Sequence, residues 1–263
     1  MIQALHTGSQ GMVAQQLNID TIAHNLSNVN TNGFKKNRVE FQDLLYTTIR
    51  RPAQNQDNQA QPLGLQLGLG VRQAAIQTLF SPGNMVATGN PLDVAINGQG
   101  FFAIEVPGFE GEELYTRDGA FKLDGEGNIV TSDGYLVLGT DQVPENATDI
   151  TISQTGLITV TLPDEQEPLE IGQLRVYKFI NPAGLDKQGH NLYRRSASSG
   201  EPVEWDPEAD GSIRIEAGFL ETSNVQVVEE MVSMITAQRA YEINSKVIQT
   251  SDDMLGIANN LKR

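Results

Sequence analysis

Both ends of the chain carry long stretches with a helical repeat of apolar residues, and the middle does not. In the front stretch the apolar side chains recur with the a and d spacing of a heptad, and two such registers run side by side in the back stretch. The pattern therefore predicts a long helix at each end of the chain. The positions expected to pack helix against helix are Leu5, Met12, Ile19, Ile22, Leu26, Val228, Val232, Ile235, Tyr241, Ile243, Val247 and Leu255.

The apolar surface of the back stretch is wider than a two-stranded seam needs. Long, weakly hydrophobic helices gain most of their stability from packing partners. The pattern alone leaves two arrangements open, a coiled coil within one chain or helix packing between subunits. Because of the excess apolar width, we expect both ends to be largely disordered in a dilute monomer.

Between the helices, the pattern changes to short alternating runs separated by Gly, Asp, Asn and Pro. Asp118-Gly119 and Asp133-Gly134 have the sequence of tight hairpin turns. Ser223 or Asn224 is the expected N-cap of the last helix. The predicted fold class is α+β, with N- and C-terminal helices pairing as a coiled-coil-like core domain and a central all-β domain of short antiparallel strands.

The predicted domains are residues 1–30 with 224–263 as the helical core, 31–70 as a connecting segment, and 71–223 as the β domain. Residues 52–70 are rich in Gln, Asn, Pro and Gly and lack a core pattern of either period. Composition alone predicts a flexible loop or linker there.

The charge and composition exclude several classes of protein. A formal net charge of -15 argues against a nucleic-acid partner, since phosphate contacts need clustered Lys and Arg. The absence of cysteine excludes disulfides and thiolate metal sites. No stretch approaches the roughly 20 apolar residues of a membrane span. The first 19 residues lack the basic start and unbroken apolar run of a cleavable signal peptide, so we expect any export to use another route.

The candidate catalytic and ligand motifs are weak. Residues 97–103 match a dinucleotide-binding string, but the run continues as a strand, whereas that motif must open a helix. Residues 124–128 resemble the start of a calcium loop that lacks its later ligands, so a hairpin turn is expected. His6, His24 and His190 are too scattered for a metal site. We therefore expect no catalytic residue, cofactor or metal.

One segment is specific enough to indicate a family. The run NIDTIAHNLSNVNTNGFKKNRVEFQDLLY, residues 18–46, resembles the signature of the bacterial flagellar rod and hook family. Residues 220–255 resemble the matching C-terminal end, and residues 98–106 with 115–139 are similar to its β domain. The residues at the centre of this family motif, expected to serve assembly, are Asn25, Leu26, Asn28, Thr31, Gly33, Phe34 and Lys35.

The compact length and residues 44–72 are most similar to the distal-rod members of that family, because hook members carry an additional large outer domain. The resemblance implies a structural subunit that polymerises helically around the export channel, with the helices inside and the β domain outside. It implies residues 46–70 form an ordered extension against neighbouring subunits. The implied partners are further copies, proximal rod proteins, the hook protein, the surrounding ring proteins and the type III flagellar export apparatus.

The implied location is the basal body, from the periplasm to the outer envelope. Two alternatives stay open from the sequence. One is another rod or hook-like axial protein, and the distant one is a cell-wall enzyme with helical ends.

Overall fold

The structure is a computed structural model. It describes residues 2–50, 53–54, 60–61, 64–108, 113–144, 146–163 and 168–260, without the side chains of 53–54 and 60–61. The chain divides into two compact units, a helical unit of residues 1–26, 37–77 and 226–263 and a β unit of residues 27–36 and 78–225. The first unit contains both helices, and the second an antiparallel β structure, so the α+β class is confirmed. This division groups residues 37–77 with the helices and residues 27–36 with the β structure, unlike the predicted boundaries.

The two helices of the helical unit are α1, Ile2–Ser27, and α2, Val227–Asn260. Gly8 of α1 lies against Ile248, and Gly11 lies against Asn244. At the other end of α1, Asn25 Nδ2 donates a hydrogen bond to Glu230 Oε2 at 3.2 Å. Residue numbers that increase along α1 are thus paired with residue numbers that decrease along α2, so the two helices run antiparallel.

The surfaces that α1 and α2 turn to each other combine small and polar residues with a few large apolar ones, such as Ile22 and Ile248. The buried residues of α2 are Glu230, Ala237 and Ser251, spaced by seven and fourteen residues. Those of α1 are Gly8, Ala14, Thr21, Ile22 and Asn25. Small residues let the backbones approach closely, and they bury little apolar area.

The predicted N-cap of the last helix is wrong. Helix α2 begins at Val227, and the Glu230 amide donates to the Gln226 carbonyl. The Asn224 side chain is used elsewhere, because its Oδ1 accepts the Lys36 amide at 2.7 Å and its Nδ2 donates to the Leu79 carbonyl at 2.8 Å. Glu229 and Glu230 lie in the first turn, where the helix dipole favours negative charge.

The strands of the helical unit form two-stranded pairs in the described part of the chain. They are β1 Asn37–Asp43, β2 Tyr46–Arg50, β3 Ala53–Gln54, β4 Ala60–Gln61, β5 Leu65–Gly68 and β6 Val71–Thr78. Strand β1 pairs with β6, β2 with β5 and β3 with β4. The loop predicted from composition for residues 52–70 is therefore wrong at β3, β4 and β5. Cross-strand hydrogen bonds supply an order that residue type alone did not indicate; residues 51–52, 55–59 and 62–63 lie outside the described residues.

The β unit is built around an antiparallel sheet in which β9 is central. Strand β9 pairs with β10, β13 and β17, and the sheet continues through β19 to β18 on one side and through β12 to β11 on the other. Strands β14, β15 and β16 form a second sheet, and β8 pairs with β21 and β7 with β22. The strands are β7 Met85–Ala87, β8 Val94–Asn97, β9 Phe101–Glu105, β10 Leu114–Thr116, β11 Lys122–Leu123, β12 Ile129–Val130, β13 Leu136–Val137, β14 Asp149–Ile152, β15 Leu157–Thr161, β16 Leu169–Gln173, β17 Val176–Lys178, β18 Asp186–Gly189, β19 Leu192–Arg194, β20 Val203–Glu204, β21 Arg214–Ala217 and β22 Phe219–Glu221.

Side chains of β9 enter three apolar clusters. Phe102 packs edge-to-face on Phe121 at 5.2 Å in the largest cluster, which also contains Trp205. Phe101 points to the other face, into a cluster of aromatic rings, and Ile104 enters a third. The strand alternates faces because its side-chain period is two. Both faces of β9 are buried, so this strand anchors the β unit.

One of the two predicted hairpin turns is confirmed. Asp133-Gly134 closes the turn between β12 and β13, where the Gly134 amide donates to the Thr131 carbonyl at 3.0 Å. Asp118-Gly119 does not join two paired strands, so that prediction is wrong. A Cβ on Gly119 would lie 1.7 Å from the Val94 carbonyl oxygen, so glycine permits a close approach of two backbones there.

Candidate assembly surfaces and the connector

Helix α2 presents a row of large apolar side chains away from α1. At about 100° per residue, Val228, Val232, Ile235, Ile243 and Ile257 fall within about 80° of one another around the helix axis, opposite the buried face. We call these five residues the α2 stripe. They are 54–74% exposed in the chain. Exposed apolar residues at this density are typical of an interaction surface.

The predicted helix-packing positions therefore differ in what they do within one chain. Ile22 is buried, and Leu5, Met12, Ile19, Leu26 and Leu255 are partly buried. Val228, Val232, Ile235, Tyr241, Ile243 and Val247 are exposed. These exposed positions lie largely outside the face of α2 that meets α1, which includes Asn244 and Ile248.

A second exposed apolar surface lies on the hairpin of β2 and β5. The strands pair from Tyr46 with Gly68 to Arg50 with Leu65. Tyr46, Ile49, Leu65 and Leu67 are all about half exposed or more. A two-stranded hairpin is only marginally stable by itself in water. A groove of about 480 Å³ runs beside it, lined by Leu67 and Gly68 together with the start of α1 and Asn244 and Val247 of α2.

The family motif forms a connector whose polar groups are satisfied inside the chain. Asn25 is buried, and its side chain bonds both backbone groups of Asn37, donating to the carbonyl and accepting the amide at 2.8 Å each. Asn28 Oδ1 accepts the Thr31 hydroxyl, and the Phe34 amide donates to the Thr31 carbonyl. These bonds fix the turn at the end of α1.

Gly33 holds the connector against the β unit. Its φ is +65°, a left-handed conformation that favours glycine, and its amide donates to the Glu221 carbonyl at 2.8 Å. A Cβ at this position would lie 2.7 Å from the Arg117 carbonyl carbon. Both the positive φ and the contact with Arg117 therefore exclude a side chain at position 33.

Lys35 is fully buried in the β unit, at the centre of a cluster of three charged side chains. Its Nζ donates to Glu221 Oε1 at 2.6 Å and to the Ser81 carbonyl at 2.9 Å. Arg117 Nε lies 3.4 Å from Glu221 Oε2. Burial, and next the charge of Arg117, lower the pKa of Lys35 to about 8 against the opposing effect of Glu221. Burial likewise lowers the pKa of Arg117. We call Lys35, Arg117 and Glu221 the buried ion cluster.

The family motif in the sequence includes Lys35 but not its partners. Arg117 and Glu221 lie in strand-like runs with no sign of burial. The one available signal was Lys35 itself, because a lysine that packs inside a fold requires an acid nearby.

The two ligand-like motifs occur in strands and turns. Residues 101–105 form β9, so the glycine-rich string before them opens no helix. Asp124 and Gly127 lie in the turn between β11 and β12, closed by the Gly127 amide on the Asp124 carbonyl. Among the described residues, no group of His, Asp and Glu has a metal-binding arrangement, and neither helix is long and apolar enough to cross a membrane.

The sequence matches three family profiles, one for each part of this architecture. "Flagella basal body rod protein" covers residues 5–35, "Flagellar hook protein FlgE/F/G D1 domain" covers 95–160, and "Flagellar basal body rod FlgEFG protein C-terminal" covers 216–261. A relative from Borreliella burgdorferi, the flagellar basal-body rod protein FlgG, is 52% identical over 100% of both chains. The chain belongs to the flagellar basal-body rod protein family.

Other relatives place this rod protein within the family. FlgG of Agrobacterium fabrum is 45% identical over 99% of this chain and 100% of its own. FlgF of Caulobacter vibrioides, another basal-body rod protein, is 30% identical over 97% of this chain and 95% of its own. The identity is thus higher to FlgG proteins than to this FlgF. Membership makes the rod protein a structural component of the flagellar basal body, not an enzyme.

Proposed function

We propose that this rod protein is the subunit of the flagellar distal rod, a rigid hollow shaft that transmits torque from the motor to the hook and surrounds the export channel. The observation that carries the proposal is the α2 stripe, a row of exposed large apolar side chains on the longest helix. The full-length similarity to FlgG proteins supports the same function.

The exposed apolar area of the α2 stripe favours association between copies of the chain. Its apolar side chains do not meet α1, so burying them requires another copy. A surface that contacts a different surface on the next copy generates a helical filament when the rotation does not close. In this arrangement the exposed predicted positions, from Val228 to Val247, complete a coiled-coil-like packing between copies. The seam within each chain, which includes Gly8, Gly11 and Asn25 of α1, sets the pairing of α1 with α2.

The hairpin of β2 and β5 is the second assembly element. Its exposed apolar residues and its marginal stability in isolation support docking on a neighbouring copy. Such an extension, spanning residues 46–70, would tie copies together and stiffen the rod.

The family motif serves assembly indirectly in this proposal. Asn25, Leu26, Asn28, Thr31, Gly33, Phe34 and Lys35 shape the connector that follows α1, and Asn25, Gly33 and Lys35 are buried. They would present the assembly surfaces by fixing the chain path and not by touching neighbouring copies.

The proposed partners follow from this location in the flagellum. They are further copies of the chain, proximal rod proteins, the hook protein, the surrounding ring proteins and the type III flagellar export apparatus. The proposed site lies between the periplasm and the outer envelope. The acidic composition supports no nucleic-acid partner, and the mechanical role requires no cofactor.

The first test changes the α2 stripe. Replacing Val232 and Ile235 by serine should leave the helix content of the dilute chain unchanged and raise the concentration needed for filament formation at least about tenfold, measured by sedimentation and electron microscopy. The matched control replaces Thr236 and Gln238, two exposed polar residues of α2, by serine. Filaments formed by the stripe variant at the wild-type concentration would contradict the proposal.

The second test deletes residues 46–70. We expect a tube that still assembles through its helices but bends more, seen as a shorter persistence length in electron micrographs. An unchanged straight rod would exclude the hairpin as the stiffening element.

A third test expresses the full-length chain in cells that lack FlgG. A chain that acts as a different axial protein would fail to restore a distal rod there.

A further inference from the structure

A small cavity lies beside the Arg117 guanidinium in the β unit. Its volume is about 20 Å³, more than the roughly 10–15 Å³ that one water molecule needs, and the exposed Gln99 stands at its opening. Arg117 is the one charged residue in its wall. The lining residues are Phe80, Gln99, Gly100, Phe101, Arg117, Phe179 and Pro182.

One nitrogen of Arg117 has no hydrogen-bond partner. Nη2 donates to the Gly98 carbonyl at 2.8 Å, and Nε faces Glu221. Nη1 is buried and has no partner among the described residues. A guanidinium carries five N–H donors in a fixed fork, so its remaining donors cannot turn away to solvent. Arg117 is only 3% exposed.

The charges around the cavity do not balance. Lys35 and Arg117 are both buried, and Glu221 is the carboxylate that faces them. Tyr193, the other group that acts electrostatically on Arg117, has its pKa raised to about 12 by burial and is neutral at pH 7. The buried ion cluster therefore carries one excess positive charge, which a low-dielectric interior disfavours.

We propose that the cavity beside Arg117 binds one halide-sized monovalent anion, chloride under physiological conditions, which accepts a hydrogen bond from Arg117 Nη1. The anion neutralises the excess charge of the buried ion cluster and also supplies the hydrogen-bond acceptor that Arg117 Nη1 lacks. A water molecule would supply only the acceptor. A single negative charge matches the one excess positive charge of the cluster, whereas a divalent phosphate or sulfate would exceed it.

The test compares salts at equal ionic strength, using the full chain diluted below its assembly concentration. Thermal unfolding is followed by the fluorescence of Trp205, the single tryptophan, which lies in the β unit core. At a chloride concentration ten times its dissociation constant, the ratio of folded to unfolded chain should rise about tenfold over sodium gluconate, a shift in Tm of about 4 °C. Bromide should act like chloride. Equal Tm values in chloride and gluconate would overturn the proposal and leave a water in the cavity.

A variant separates this site from general salt effects. Gln99 lines the cavity and is exposed, so Gln99→Glu places a tethered carboxylate at the mouth without changing the core. It should abolish the chloride-dependent shift in Tm and the broadening of the chloride-35 NMR line by the protein. Gln188→Glu, an equal charge change on exposed β18, should retain both. A chloride effect that persists in Gln99→Glu would refute the assigned site, whether or not the chain forms a rod.

Discussion

The β unit and the helical unit bury their apolar side chains to very different extents. The β unit contains three clusters of buried apolar residues around β9. In the described part of the helical unit, the buried apolar residues are Ala14, Ile22, Val39 and Ala237. The β unit thus has a core of its own, whereas α2 leaves most of its large apolar side chains exposed.

The two units also differ in net charge. The helical unit has nine acidic and eight basic residues, whereas the β unit has 24 and ten, so nearly all of the net charge of -15 belongs to the β unit. Like charges on a surface oppose close packing of copies. A nearly neutral helical unit with exposed apolar residues, and an acidic β unit with a core of its own, would suit a subunit that associates through its helical unit.

The largest effect expected from this difference is in amide hydrogen exchange of the dilute chain. Amides of β9 should exchange at least about a thousand times more slowly than in an unfolded peptide, because they open only with global unfolding. Amides of α1 and α2 should exchange within about tenfold of the unfolded rate, since few apolar contacts hold the helices. Strong protection of both helices would show a self-contained helical pair and would break the comparison.

A core substitution should show how far the β unit depends on its own packing. Phe102→Ala removes a fully buried ring and should lower the free energy of unfolding by about 4 kcal/mol. Ile180→Ala, at a side chain that is 86% exposed, is the control and should change it by less than about 0.5 kcal/mol. Urea titration monitored by Trp205 fluorescence measures both. Similar values for the two variants would mean that β9 does not anchor the unit.

The sequence predicts the structure best where one short pattern determines the local secondary structure. The apolar run that follows Gly100 predicts a short strand, and β9 is that strand, although its burial on both faces was not predicted. The helical periodicity predicted α1 and α2 but not which face of α2 meets α1. That choice depends on close contacts such as Gly11 with Asn244, which depend on two segments far apart in the chain.

The remaining differences have the same cause. The hairpin of β2 and β5 and the partners of Lys35 are defined by cross-chain contacts, and no local propensity indicates them. Asp118-Gly119 has the sequence of a hairpin turn, yet the glycine serves a close approach to Val94. An Asp-Gly pair fits either a hairpin turn or a close approach of two backbones. The sequence around it does not tell which, because the second backbone belongs to β8, which is distant in the chain.

The buried ion cluster permits a more specific test of the β unit. Glu221→Gln leaves Lys35 and Arg117 buried without a counter-charge and should cost about 3 kcal/mol of unfolding free energy. Lys35→Met leaves Arg117 with Glu221 as a balanced pair and should cost at least about 2 kcal/mol less. Urea titration at pH 7 measures the difference. Equal costs for the two variants would contradict an excess of positive charge in this cluster.

The smallest expected effect is the pH dependence that Lys35 gives to the β unit. Its pKa in the folded chain is about 8, against 10.5 for the ordinary side chain. Between these values the unfolded chain binds more protons than the folded chain, so the contribution of Lys35 to stability rises with pH. At 1.36 kcal/mol per pKa unit, the gain from pH 8 to pH 9.5 is about 1.5 kcal/mol.

Lys187, whose pKa is also lowered to about 8, titrates in the same window, so the wild-type curve alone does not isolate Lys35. The measurement is therefore the difference in unfolding free energy between wild type and Lys35→Met at each pH. That difference should change by about 1.5 kcal/mol in favour of wild type as pH rises from 8 to 9.5, because the variant has no amine to deprotonate. A difference that stays constant with pH would mean that Lys35 titrates alike in the folded and unfolded chain.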